Sequence, residues 1–250
     1  MQIECQTNVG RKRKNNQDTV GTYVNQAGIV LAIVADGMGG HLAGDQASFL
    51  AVTGLGAVWE ATTIADHDAI GKWLVDRIQE ENDIIYAEGT NNPEKYGMGT
   101  TIVAAIPLNG QLLLAHVGDS RAYLVRNHEI KQLTEDHSLV NELVKTGEIT
   151  KEMALNHPKK NILVRSVGVP GRVDVDLSLL TIQENDQILL CSDGLTNMLS
   201  DIFIKSIVTQ EISLNQKVEQ LITEANEAGG TDNITVLLMS FKSDGKEAYD

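Results

Sequence analysis

The sequence predicts an α+β fold built on a largely antiparallel sheet, and three observations carry that expectation. Asn109-Gly110 separates two apolar, β-branched runs and Asp119-Ser120 separates the next two, so both read as hairpin turns. Helix-like stretches fall in pairs, between the early and between the late strands, rather than in strict β–α–β alternation. The chain has 250 residues with 42% hydrophobic content but only 4% aromatics, enough for a large core that must be mostly aliphatic.

Taken in order, the run GIVLAIVA at 28–35 is continuously apolar and of strand length. Helical periodicity follows over 43–61 and 67–88. In the second stretch Ile70, Trp73, Leu74, Ile78, Ile84 and Ile85 form a stripe of roughly 3.6 spacing. Strand-like runs recur at 101–106, 111–117 and 121–126, then at 187–191 and 234–241, with helices expected at 201–211 and 214–228 between the last two. Residues 138–172 are polar and mixed in charge, with helical pieces but little periodicity, and read as a flap over the core. No Pro- or Ser-rich linker interrupts the chain, so one domain over 1–250 is expected.

The formal charge of −14 repels phosphate backbones and anionic lipid surfaces, so neither nucleic acid nor membrane insertion is expected. No apolar stretch approaches the ~18 residues that span a bilayer. The N-terminal residues lack the apolar segment of a secretory signal. With two cysteines, Cys5 and Cys191, and no disulfide or zinc spacing, a cytoplasmic monomer is expected.

Chemistry gathers at the strand ends. Apolar runs lead into VAD36-G, HVGD119-S and CSD193-G, while Asp232 precedes ITVLLMSF and Asp18 closes NNQD. Any one such aspartate also serves as an ordinary turn cap. Brought to one sheet edge, several would repel one another until protons or cations offset the charge. Oxygen-only ligands select hard ions, Mg²⁺ or Mn²⁺. Gly37, without a side chain, is free to turn its carbonyl toward the same ion. Two such ions sharing a water would make it a nucleophile near neutral pH. Arg13, five residues before Asp18, offers a planar guanidinium suited to a phosphate.

These residues fall within RKNNQD (13–18), VADGMGG (34–40), GTT (99–101), VGDSRAYL (117–124), LTEDHS (133–138), SDGLT (192–196) and TDNITV (231–236). In that order the set resembles the PPM family of metal-dependent serine/threonine protein phosphatases, the 2C type, in its compact bacterial form. The resemblance implies a central antiparallel β-sandwich flanked by helices on both faces, four layers deep. It implies that Asp36, Asp193 and Asp232 hold one Mn²⁺ or Mg²⁺ ion. Asp36 and the Gly37 carbonyl would hold a second, and Asp119 with Asp193 a third. Arg13 would bind substrate phosphate and Asp18 would orient water. A hydroxide bridging the ions would attack phosphoserine or phosphothreonine directly, opposing a bacterial serine/threonine protein kinase.

The pattern departs from the family at two places. Gln17 stands where eukaryotic members carry a glutamate, and Met38 stands where they carry a histidine. His41 is the candidate to donate the proton that Met38 cannot, with a role at a helix start as the alternative. Two further functions fit the residues: hydrolysis of small phosphoesters, and phosphoprotein binding without catalysis. Cys5 to Arg11 matches the C-x5-R loop of cysteine-dependent phosphatases, but the flanking residues make a poor strand and a poor helix. Cys191 and His116 read as sheet residues, and His137 as organising the turn into the flap.

Overall fold

Alternate residues of β3 (Val30–Met38) pack in opposite directions, and that pattern sets the architecture. Leu31, Ile33 and Ala35 join Leu55 and Trp59 of α1 (Ala43–Glu60) and Leu74 and Ile78 of α2 (His67–Asn91). Ala32 and Val34 instead meet Ile188 and Leu190 of β10 (Gln187–Cys191) and Leu237 and Met239 of β11 (Ile234–Ser240). Both faces are buried, which is why the run is apolar throughout rather than alternating. A computed structural model describes residues 1–40, 43–155 and 157–242.

Two antiparallel sheets result. One has the order β2 (Asp18–Val24), β3, β5 (Ile102–Leu108), β6 (Gln111–Val117), β9 (Asp176–Thr181), with the short β4 (Gly99–Thr100) paired to the end of β3. The other has the order β1 (Gln2–Asn8), β11, β10, β7 (Arg121–Arg126), β8 (Glu129–Gln132). Helices α1 and α2 cover the first sheet. The second is covered by α6 (Asp201–Val208) and α7 (Leu214–Glu227), through Ile204, Ile207 and Leu221 against Leu189 and Leu238. A capping box of Ser213 and Gln216 starts α7. The stacking is therefore α-β-β-α, as the family resemblance implied.

The hairpin at Asn109-Gly110 is present, both residues having positive φ as a type I′ turn requires. The second expected hairpin is not. β6 pairs with β5 and β9 while β7 pairs with β10 and β8, so Asp119-Ser120 carries the chain from one sheet to the other. The hairpin partner of β7 is β8, turned at Asn127-His128, again with both φ positive. β1, β2, β8 and β9 were not expected from periodicity. They are short or exposed, as Leu177 and Leu179 of β9 show at 42% and 49% exposure.

Residues 138–172 carry two short helices, α3 (Leu139–Lys145) and α4 (Lys151–Leu155), and otherwise irregular backbone. A bridge from Thr100 to Val167 ties the segment to the body, and one from Ser138 to Leu163 closes it on itself. Ser138 caps α3 through the Asn141 N–H.

Candidate metal centre

β2 and β3 pair in a register that sets Asp18 opposite Asp36. Directly opposed like charges destabilise a sheet. The even-numbered residues of β3 point between the sheets, so Asp36 faces the second sheet at the sandwich end. Asp193 arrives from that sheet, as the first residue of the single-turn α5 (Asp193–Thr196) after β10. Asp232 lies just ahead of β11, and Asp119 just after β6. The sequence-predicted carboxylates thus converge. Asp18 is buried, whereas Asp36, Asp119, Asp193 and Asp232 are half-buried and accessible from solvent.

Backbone, hydroxyl and amide hydrogen bonds hold the strand ends that carry these residues. The Asp36 N–H donates to Thr101 Oγ1 at 2.9 Å, and its carbonyl accepts from the Thr101 N–H at 2.8 Å. Thr101 Oγ1 in turn lies 2.7 Å from Ser120 Oγ, next to Asp119. Ser192 and Thr235 donate to Asp18 Oδ2 at 2.7 and 2.6 Å, while Asp18 Oδ1 is buried without a partner. Asn197 Nδ2 donates to Asp193 Oδ2 at 2.9 Å. The Asn233 side chain ties the loop together, accepting from the Gln17 N–H and donating to the Val9 and Asn15 carbonyls.

Close approach explains the glycines. A Cβ on Gly37 would lie 1.9 Å from the Gly44 carbonyl oxygen and 2.5 Å from that of Gln17. A Cβ on Gly194 would lie 1.8 Å from the Asn233 carbonyl oxygen, which holds α5 against the Asp232 loop.

The electrostatics are those of a crowded acidic site in which the carboxylates outnumber the nearby cations. Burial, with repulsion from Asp193 and Asp232, raises Asp18 to about 7 despite its two hydroxyl donors. Burial and then repulsion from Asp18, Asp193, Asp119 and Asp232 push Asp36 well above the usual carboxylate range. Burial and Asp193 raise Asp119 to about 8, while burial and Asp232 raise Asp193 to about 6. Arg13 makes an ion pair with Asp232 at 2.8 Å, and Arg121 is held by Asp136 at 2.7 Å.

Five carboxylates share one end of the sandwich, one with an orphaned buried oxygen, and all donors are hard oxygens. Such a set fits divalent Mg²⁺- or Mn²⁺-class ions and suits neither zinc nor copper. His116, His137 and Asp176 form a second group, with ligand-type atoms within 4.8 Å of one another. These atoms already have partners. His137 Nδ1 accepts from the Gly118 N–H at 3.1 Å, and its Nε2 faces Asp176 Oδ2 at 3.3 Å. His116 Nε2 bonds the Glu135 carbonyl, and Arg165 occupies Asp176 Oδ1 at 2.7 Å. The group is a hydrogen-bonded clamp between the 138–172 segment and Gly118, beside Asp119.

Met38 ends β3 opposite Gly99, and His41 lies outside the described residues. Cys5 lies in the middle of β1, exposed at its surface, and partial desolvation of the thiol followed by repulsion from Glu4 raises its pKa. The strand runs on to Asn8 with no helix after it, so Cys5 to Arg11 is not a phosphate loop. Sequence reasoning missed Ser192, Thr235, Asn233 and Asn197. For Thr235 the available signal was a polar residue inside the otherwise apolar β11; Ser192, Asn233 and Asn197 lie just outside strands or at the ends of α5, beside the aspartates themselves.

Residues 5–234 match the family model described as Protein phosphatase 2C. The chain belongs to the protein phosphatase 2C family. It is 49% identical over 240 residues to the serine/threonine phosphatase stp of Listeria monocytogenes, covering 96% of this chain and 95% of that one. The serine/threonine phosphatase structure from S. agalactiae superposes with a TM-score of 0.94 at 46% identity, over 97% of this chain and 99% of that one. A third relative is the catalytic domain of the serine threonine protein phosphatase PstP, in complex with two manganese ions. It is 32% identical with a TM-score of 0.85, over 97% of this 2C-family chain and 98% of its own.

Proposed function

We propose that the carboxylate end of the sandwich is the catalytic centre of this protein-serine/threonine phosphatase, with a separate role for each residue. The chain is a metal-dependent hydrolase of phosphoproteins, as its family and its phosphatase relatives establish. Asp36, Asp193 and Asp232 would hold one divalent ion, Asp36 and the Gly37 carbonyl a second, and Asp119 with Asp193 a third. Mn²⁺ is the proposed ion, with Mg²⁺ able to occupy the same donors. Such ions, when bound, acidify water and neutralise phosphoryl oxygens. The convergence of Asp18, Asp36, Asp119 and Asp193, each with its pKa raised by burial and mutual repulsion, carries the proposal.

Arg13 binds the phosphate. Its Nη2 rests on Asp232 with the side chain 49% exposed, so it would be free to turn toward substrate if Asp232 held a cation. Its fork then grips two phosphoryl oxygens and offsets charge that develops on them. Asp18 orients the attacking water. Ser192 and Thr235 pin its Oδ2, leaving Oδ1 as the atom that accepts the water's proton. His41 is proposed as donor to the leaving serine or threonine oxygen.

All these residues come from one chain, which supports a monomer as the working unit and 1–250 as one catalytic domain with 138–172 as its flap. The kinase that phosphorylates its substrates is the inferred functional partner. Free thiols at Cys5 and Cys191 fit a cytoplasmic location. Among the described residues no helix is long and apolar enough to cross a membrane. The direct test is phosphate release from a phosphothreonine peptide in Mn²⁺. Asp193→Ala is expected to abolish turnover, and full activity in that variant would refute the assignment.

A further inference from the structure

A groove of about 930 Å³ opens beside Asp119 and Asp193, between α3 and α4 of the flap and the corner that joins α5 to α6. Its charged side chains fall into two sets. Two of the carboxylates away from the metal centre are charge-paired and the third has only a neutral hydroxyl. Glu135 is paired with Lys145 at 2.9 Å, Asp136 is held by Arg121 at 2.7 Å, and Asp201 accepts from Tyr123 Oη at 3.1 Å. Two of the lysines are uncommitted. Lys151 makes no ion pair among the described residues, and Lys160 Nζ donates a 3.3 Å bond to the neutral amide oxygen of Asn197. Asn197 donates on to Asp193, so Lys160 stands one side chain away from the metal centre. With Asp119 and Asp193 assigned to cations, the two lysines face a single carboxylate that lacks a charged partner, Asp201, so the remaining charge of the groove is net positive in a chain whose formal charge is −14. Leu155 and Ile202, 72% and 74% exposed, line the same groove and add apolar contact area.

Resting on the phosphatase reading above, we propose that this groove binds the polypeptide flanking the phosphorylated residue and selects acidic side chains there. Lys160 and Lys151 are the residues that determine this specificity. A carboxylate near the phosphorylated residue exchanges the long amide bond of Lys160 for a charge-assisted one, while Glu135 and Asp136 keep their own cations, Lys145 and Arg121. An acidic flank thus gains both lysines, and a basic flank meets uncompensated like charge.

The test compares kcat/KM for two phosphothreonine peptides differing only in Glu or Lys beside the phosphothreonine, with p-nitrophenyl phosphate as a control that leaves the groove empty. Each exposed pair contributes about threefold to fivefold, so the wild type should favour the acidic peptide by roughly tenfold. The doubly substituted Lys151→Glu, Lys160→Gln protein should lose that preference while hydrolysing p-nitrophenyl phosphate at the wild-type rate. Gln at 160 keeps a polar group beside Asn197, which protects the approach to Asp193. Equal efficiency of the wild type on both peptides, or an unchanged preference in the double variant, would overturn the groove assignment and leave the phosphatase reading standing. Hydrolysis of p-nitrophenyl phosphate but of neither peptide would overturn both.

Discussion

Stripping divalent cations from the protein and raising the pH should unfold it more easily, and Asp18 sets the scale. This carboxyl is buried, and its folded pKa of about 7 stands far above the ordinary 3.8. A raised folded pKa favours the protonated native state. The associated stability is complete below about pH 4 and is lost as pH rises through about 7. The rise from 3.8 to about 7 corresponds to about 4 kcal/mol. Asp36, Asp119 and Asp193 act in the same direction. His137, whose pKa burial lowers, acts in the opposite direction at mildly acidic pH, but it is one group against four. For a chain of this size 1 kcal/mol moves Tm by about 2–4 °C. Thermal melts in EDTA should therefore show Tm falling by roughly 10 °C between pH 5 and pH 8. Mn²⁺ at a hundredfold excess over its Kd should restore about 2.7 kcal/mol and flatten the pH dependence. Asp18→Asn keeps the two hydroxyl contacts but removes the charge, so it should stabilise the cation-free protein at pH 8 while reducing activity. A cation-free Tm that stays flat or rises from pH 5 to pH 8 would refute the reasoning.

Other substitutions probe separate parts of the site. Gly37→Ala drives a methyl into the Gly44 carbonyl and should cost about 3 kcal/mol or more in urea unfolding, without a change in the slope against denaturant. Arg13→Lys keeps the charge but loses the two-pronged grip, and should reduce kcat/KM on a phosphopeptide by about tenfold or more, chiefly through KM. His137→Ala leaves the Gly118 N–H unsatisfied and removes one of the two partners of the Asp176 carboxylate, a loss of about 2 kcal/mol in denaturant titration. Thr235→Val removes one of two donors to Asp18 Oδ2, and should lower kcat on a phosphopeptide more than it raises KM.

Where the sequence was legible, one residue's environment sufficed to read it. The continuous apolar run of β3 marked a strand buried on both faces, and the Asn109-Gly110 turn fixed a hairpin that the backbone requires. Asp36, Asp119, Asp193 and Asp232 could be named because each follows or precedes such a run. Reading failed where a choice depended on partners distant in the chain. Asp119-Ser120 has turn chemistry, yet only the pairing of β7 with β10 shows that it changes sheets. Strand β1 is mostly exposed and polar, so its place beside β11 leaves no periodic trace. The Ser192 and Thr235 hydroxyls reach Asp18 across 174 and 217 residues of sequence. His137 finds Asp176 39 residues away, and nothing local to LTEDHS predicts that contact.

Calorimetric titration of the cation-free protein with Mn²⁺ at pH 7.5, repeated in buffers of different ionisation heat, tests the central claim most directly. Carboxyls held protonated by burial and mutual repulsion must release protons as cations bind. The account predicts at least two ions per chain, measurable proton release, and loss of both signals in Asp36→Asn. Absence of Mn²⁺ binding, or binding that Asp36→Asn leaves intact, would contradict it.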